Sequence, residues 1–111
     1  MRQTVSSQVV VVLVTCPTNA VATRLARHLV SARLAACVNI IPGLTSLFWW
    51  RGKIDRCRET LLVIKTTAPV FERLRRAVQR LHPYDTPEII TLPVTRGHAP
   101  YLSWVRTTTR R

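Results

Sequence analysis

Carboxylates are scarce in this chain: five acidic residues stand against seventeen basic ones, a formal net charge of +12. Such a balance excludes an acidic surface and predicts attraction to polyanions. Glycine is scarce as well, three in all, and no serine-rich or repetitive stretch occurs, so neither an internal linker nor a repeat array is expected. The three cysteines, Cys16, Cys37 and Cys57, never fall in a C-x-x-C pair. That spacing suggests neither a disulfide framework nor a structural zinc cluster, and free thiols suit a reducing compartment. The longest apolar run, residues 9–14, is too short to cross a bilayer or to serve as the core of a secretory signal. Thr15 stands where a lipoprotein cleavage box needs a small residue before its cysteine. The expected location is therefore the cytoplasm, with no membrane partner.

What is present suffices for one domain. A hydrophobic content of 47% over 111 residues supports a single core, expected over about 8–106, with 107–111 as a loose tail. The β-branched run 8–15 predicts a central strand buried on both faces. Thr18 or Asn19 can cap a helix whose apolar residues Val21, Ala22, Leu25, Ala26, Leu29 and Val30 recur at helical spacing, with Arg24, Arg27, His28 and Ser31 opposite. A second strand, 36–41, meets Pro42-Gly43, where a bend or bulge is expected, and resumes over 44–50. Arg51-Gly52 signals a tight turn into a partner strand reaching Lys65, which makes a long hairpin. Ala68-Pro69 opens a second helix carried by Phe71, Leu74, Val78 and Leu81 and closed by Pro83; a strand at 88–94 and a short helix at 99–106 complete the chain. The order βαββαβ, with two helices of matching polarity on one face of an antiparallel sheet, is the ferredoxin-like α+β arrangement.

The segment His82-Pro83-Tyr84-Asp85-Thr86-Pro87-Glu88 carries the densest chemistry. Its two prolines hold the backbone extended, so an imidazole, a phenol and two carboxylates sit on a stiff loop. They can bind a cation, close an interface or merely connect helix to strand. Fifteen of the seventeen basic residues are arginine, and they are dispersed along the chain. Dispersed charge reads as a solvated surface or as weak, salt-screened polyanion binding without base readout, and no sequence-specific nucleic acid is expected.

The ordered motifs Thr15-Cys16-Pro17, Leu34-Ala35-Ala36-Cys37-Val38-Asn39-Ile40, Ser46-Leu47-Phe48-Trp49-Trp50-Arg51-Gly52-Lys53-Ile54 and Ile64-Lys65-Thr66 stand together with the 82–88 segment and Tyr101-Leu102-x-Trp104. This chain resembles the CutA divalent-cation tolerance proteins, and the resemblance covers about 9–105. It implies a ferredoxin-like domain that assembles as a homotrimer, with hairpins extending across neighbouring subunits, and a role in the response to metal ions. Three departures stand out. Phe48 occupies a position usually held by tyrosine. Thr23, Arg24, Arg51 and Arg56 stand where glutamates are usual. Val14 and Leu81 replace a cysteine and a histidine considered as metal ligands in some members. The nitrogen-regulatory PII proteins share the architecture and bind nucleotides between subunits, so a trimeric small-ligand-binding or regulatory protein without a physiological metal is the alternative.

Cys16, His82 and Glu88 form a chemically sensible copper or zinc set, because thiolate and imidazole outcompete oxygen ligands for such ions. Weakly bound copper or another divalent cation is the cofactor expectation, none being required. The competing reading has His82 capping the helix end and Glu88 pairing with an arginine. Tyr84 and Asp85 are expected in a cleft or interface, lined further by Asn39, Ser46 and Trp50. Lys65 ends an apolar strand, so it either finds a carboxylate, Asp85 or Glu88, or reaches water. Phe48, Trp49 and Trp50 exceed what two helices can cover and are assigned, with Trp104, to the trimer interface. Cys16 with His82 lacks an orienting third group and an oxyanion donor, so no enzymatic activity is expected.

Overall fold

The β-branched run near the start of the chain forms β1 (Val9–Cys16) in a computed structural model that describes residues 8–109. β1 lies inside the sheet, antiparallel to β3 (Lys53–Thr67) on one side and to β4 (Ile89–Pro93) on the other. Its faces are unequal, contrary to the expectation of burial on both. Val10, Val12, Val14 and Cys16 are buried, whereas Val11, Leu13 and Thr15 are only half-buried. The cause is that α1 (Asn19–Ser31) and α2 (Phe71–Leu81) both pack against the first set. With β2 (Cys37–Trp50) at the edge, the strand order is β2-β3-β1-β4, the ferredoxin-like βαββαβ topology. Because β1 and β3 run antiparallel, the helices that return from them also run in opposite directions, not with the matched polarity read from the sequence.

Thr18 begins α1 from an extended backbone, its hydroxyl accepting the Val21 N–H at 3.1 Å, and Ala22, Leu25, Ala26 and Leu29 face the sheet. Val30, placed by its spacing on that apolar face, is instead 45% exposed. The helix ends with Arg33 at φ 60, where its N–H reaches the Val30 carbonyl and the Leu34 N–H reaches that of Leu29. Those two bonds form a Schellman closure with arginine in the left-handed place that glycine usually takes. Pro69 starts a single 3-10 turn, Ala68–Val70, which leads into α2 and buries Leu74, Ala77 and Val78. Leu25, Leu29, Leu62, Ile64 and Leu74 are fully enclosed between helices and sheet, each worth about 1.5–3 kcal/mol of burial.

The expected bend is a register slip between Ile41 and Leu44, with Gly43 at φ 82. Arg51 and Gly52, at φ 50 and 77, then close the β2–β3 hairpin with the positive angles that suit strand twist. Beyond the slip the hairpin becomes an arm that stretches the chain to 52 Å in its longest dimension. On the arm Leu47, Trp49, Trp50 and Ile54 are 70, 73, 56 and 66% exposed. α3 (Ala99–Thr108) covers one end of the sheet's other face, where Val105 packs with Val9 and Ala36. It runs two residues into the stretch expected to be a loose tail, because the Thr109 N–H and hydroxyl both bond the Val105 carbonyl. Residues 110–111 of that stretch lie outside the described residues.

Candidate functional site

Pro83 ends α2 and holds His82 in an extended conformation at ψ 139, which turns the loop across the end of β1. His82 is buried there. Its Nε2–H donates to the Thr15 carbonyl at 2.8 Å, and Nδ1 accepts the Tyr84 N–H at 3.1 Å, so one tautomer satisfies both nitrogens. The imidazole and the Tyr84 ring pack 4.8 Å apart. From this position the Tyr84 hydroxyl donates to Glu59 Oε2 at 3.1 Å, while Ser46 donates to Glu59 Oε1 at 2.6 Å. Glu59 is 8% exposed and pairs across the strands with Leu44, the first residue beyond the bulge. The slip of register thus places Ser46 diagonally against it.

Burial and the carboxylate together shift the ionisation of its neighbours. Burial first, and the Glu59 charge second, push the Cys16 thiol up to about 11. Burial, the hydrogen bond to Glu59 and its charge push Tyr84 up to about 12. Cys57 is raised by burial first, then by the charges of Glu59 and Asp55 and a hydrogen bond to Glu59. The result is a carboxylate whose two oxygens each accept a hydroxyl hydrogen bond, beside two thiols and a phenol that are harder to ionise than usual. Alongside it, between the start of α1 and the Pro42-Gly43 bulge, lies an open pocket of about 300 Å³ floored by Arg58, Glu59 and Thr60, with the Thr60 hydroxyl bonded to Asn19 Oδ1.

Of the residues expected in one cleft, the structure joins Ser46 to Tyr84 through Glu59 and Asn39 to Lys65 elsewhere on the sheet, and sets Trp50 and Asp85 apart. Lys65 bonds the Asn39 side-chain carbonyl instead of Asp85 or Glu88, because Asn39 lies diagonally across the β2–β3 pair while the loop crosses the opposite end of β1. Asp85 lines a separate recess of about 250 Å³ with Arg75 and Gln79. Trp50 stands at the tip of the arm, with the Arg51 guanidinium 5.4 Å over its ring. Glu88 is exposed, whereas Cys16 and His82 are buried. His82 does close α2, its N–H bonding the Val78 carbonyl, but its ring turns to Thr15 and Tyr84. Sequence reasoning missed Glu59, the centre of the network. The available signal was a carboxylate placed directly before the apolar run 61–64, where hydrogen-bond donors become obligatory.

A four-stranded antiparallel sheet, two helices on one face and a projecting hairpin define a small ferredoxin-like α+β protein. The sequence profile of the CutA1 divalent ion tolerance protein matches residues 10–108. The Divalent-cation tolerance protein CutA of Thermus thermophilus is 50% identical over 99 residues, which cover 89% of this chain and 96% of that protein. Human Protein CutA is 49% identical over 96 residues, 86% of this chain, which spans only 54% of that longer protein. The crystal structure of CutA1 from Oryza sativa superimposes with a TM-score of 0.92 at 42% identity, covering 96% of this chain and 98% of its own. The chain belongs to the CutA1 divalent ion tolerance protein family, as its motifs suggested.

A family named for cation tolerance raises the fit of an ion to Cys16, His82 and Glu88. Cys16 is a buried, protonated thiol, and both nitrogens of His82 are engaged. Among the described residues no group of three or more His, Cys, Asp or Glu side chains could hold a metal ion. Within one chain these residues do not fit a resident metal.

Proposed function

We propose that this protein serves divalent-cation tolerance as a cytoplasmic, non-catalytic homotrimer whose projecting arms are covered by neighbouring subunits. The observation that carries the reading is the arm, four of whose large apolar side chains are more than half exposed in the single chain. Trp104, 45% exposed, and Phe48, 37% exposed, extend the uncovered surface, and Ile41, Ile90 and Leu92 add to it on the sheet. An apolar surface of this extent marks an interaction site. The absence of catalysis rests on Cys16 held as a thiol and His82 held by two hydrogen bonds, which leave no activated nucleophile and base. Three free cysteines support the reducing compartment. Sedimentation equilibrium at low protein concentration checks the assembly: three times the 12.6 kDa chain mass is expected, and a folded species of single mass overturns it. Weak copper binding that survives His82→Ala and Glu88→Gln is the expected calorimetric result.

The pocket beside Glu59 favours a second reading, small-ligand binding. It offers a guanidinium, a carboxylate, a hydroxyl and an amide around about 300 Å³, a composition suited to a polar metabolite. A rise in melting temperature with a nucleotide, abolished by Arg58→Ala, would promote it over the tolerance reading.

A further inference from the structure

The arginines that look dispersed in the sequence are gathered by the packing of α1 against α2. α1 carries Arg24 and Arg27, α2 carries Arg73, Arg75, Arg76 and Arg80, and Glu72 is the one carboxylate on either helix. The apolar residues of both helices face the sheet. At 3.6 residues per turn, Arg24 and Arg27 then point away from the sheet on α1, as do Arg76 and Arg80 on α2, and all four are exposed. Glu72 offsets them only in part: Arg75 holds its Oε1 through Nη2 at 2.6 Å and Nε at 3.0 Å, and the Arg76 charge also helps to lower its carboxyl. Of the other carboxylates, Asp55 is on the arm, Glu59 in the buried network and Glu88 on the loop beyond α2, while Asp85 borders α2 in the recess with Arg75 and Gln79, which none of the four arginines lines.

We propose that this helical face docks the phosphodiester backbone of a nucleic acid without reading its sequence. Arg24 and Arg27 are about 4.5 Å apart along their axis, Arg76 and Arg80 about 6 Å, and packed helices lie about 8–10 Å apart, so four guanidiniums cover a patch small enough to engage successive phosphates. Each guanidinium can present two parallel N–H donors to one phosphate, and arginine outnumbers lysine fifteen to two in this chain. The aromatic side chain on these helices, Phe71, packs against the core instead of standing free to stack a base, so the face offers charge and no base readout. An anionic membrane fits less well. A surface-bound amphipathic helix sinks its apolar side among the lipids, and here that side already forms the protein core. The inference does not rest on the trimer or on cation tolerance, since it uses neither the arm nor the Glu59 network.

The test uses the full chain and fluorescence anisotropy with two labelled 30-nucleotide single-stranded RNAs of unrelated sequence. Binding at low salt is expected, with affinity nearly equal for both and falling with salt at a log–log slope of about −3, as four phosphate contacts imply. Arg24→Gln, Arg27→Gln, Arg76→Gln and Arg80→Gln combined should flatten that slope towards zero and cost at least about tenfold in affinity. A control with the same charge loss, Arg51→Gln, Lys53→Gln, Arg56→Gln and Arg96→Gln, should cost less than about threefold and keep most of the slope. Equal losses in the two variants would mean net charge alone and overturn the surface. So would failure of wild type to bind, a marked preference between the two RNAs, or tighter binding to phosphatidylserine vesicles than to RNA. If the fourfold variant does not fold, the helix pairs Arg24→Gln/Arg27→Gln and Arg76→Gln/Arg80→Gln, made separately, should each remove about half the slope, and an unchanged slope in both overturns the proposal.

Discussion

Glu59 accepts two hydroxyl hydrogen bonds and, after burial, adds to the upward shifts of Cys16, Cys57 and Tyr84. This links the folded state to alkaline pH. A thiol whose ionisation is moved from 9.0 to about 11 on folding favours the native state fully below pH 9, and that contribution disappears as pH rises through about 11. Tyr84, moved from 10.0 to about 12, acts with the same sign one unit higher. Urea midpoints should therefore be flat from pH 7 to 9 and fall beyond it, and in Cys16→Ala the fall just above pH 9 should be shallower, Cys57 alone remaining to act there before Tyr84 joins it. Superimposable profiles for wild type and Cys16→Ala would remove Cys16 from the account. The loop half of this network was legible in the sequence, because two prolines around His82 and Tyr84 advertise a shaped backbone. Its strand half was not. Strand alternation reveals which face Glu59 shares, but the bulge at Pro42-Gly43 decides what stands beside it, and its register is a property of the folded sheet.

At the scale of elements, apolar runs, turn signals and helical spacing located the strands and α-helices of the described residues, and errors concentrated where an end or a direction depends on packing. α3 outran its expected end through bonds to Thr109, and the helix directions followed from sheet pairing. The end of α1 gives the sharpest case. No glycine marks it, yet the chain forms a Schellman closure with Arg33 at φ 60. A left-handed conformation costs a residue with a Cβ about 1–2 kcal/mol, partly offset on replacement by the greater unfolded entropy of glycine. Arg33 also donates to the Thr108 carbonyl at 3.3 Å, a long bond at the surface that glycine would forfeit. Arg33→Gly should thus stabilise the fold by about 0.5 kcal/mol, raising the melting temperature by roughly 2–4 °C. Arg33→Ala keeps the backbone penalty and loses the bond, so it should melt slightly below wild type. A glycine variant that melts no higher than the alanine one would show that the backbone there is unstrained.

The whole molecule divides into a basic helical layer, a closed core and an apolar arm, and of these only the arm is beyond what a single chain can stabilise. A two-stranded ribbon is marginal in water, and this one displays Leu47, Trp49, Trp50 and Ile54. It also presents Arg51, Lys53, Arg56 and Arg58, all exposed and all bonds that trypsin can cut. In the proposed trimer the arm is ordered against its neighbours over an interface of more than about 2,000 Å² in total, as obligate oligomers require. Trypsin should then spare it. Trp50→Asp places a carboxylate where an apolar contact is expected, so it should lower both the sedimenting mass and the melting temperature, with cleavage appearing first between residues 51 and 58. Arg27→Gln, on the helical layer, should leave mass and cleavage pattern unchanged. Mass spectrometry of the first fragments distinguishes the outcomes, because an arm cut as quickly in wild type as in Trp50→Asp is an arm that no neighbour covers. In that event the exposed tryptophans would need a different partner, and the trimer would be wrong for this chain.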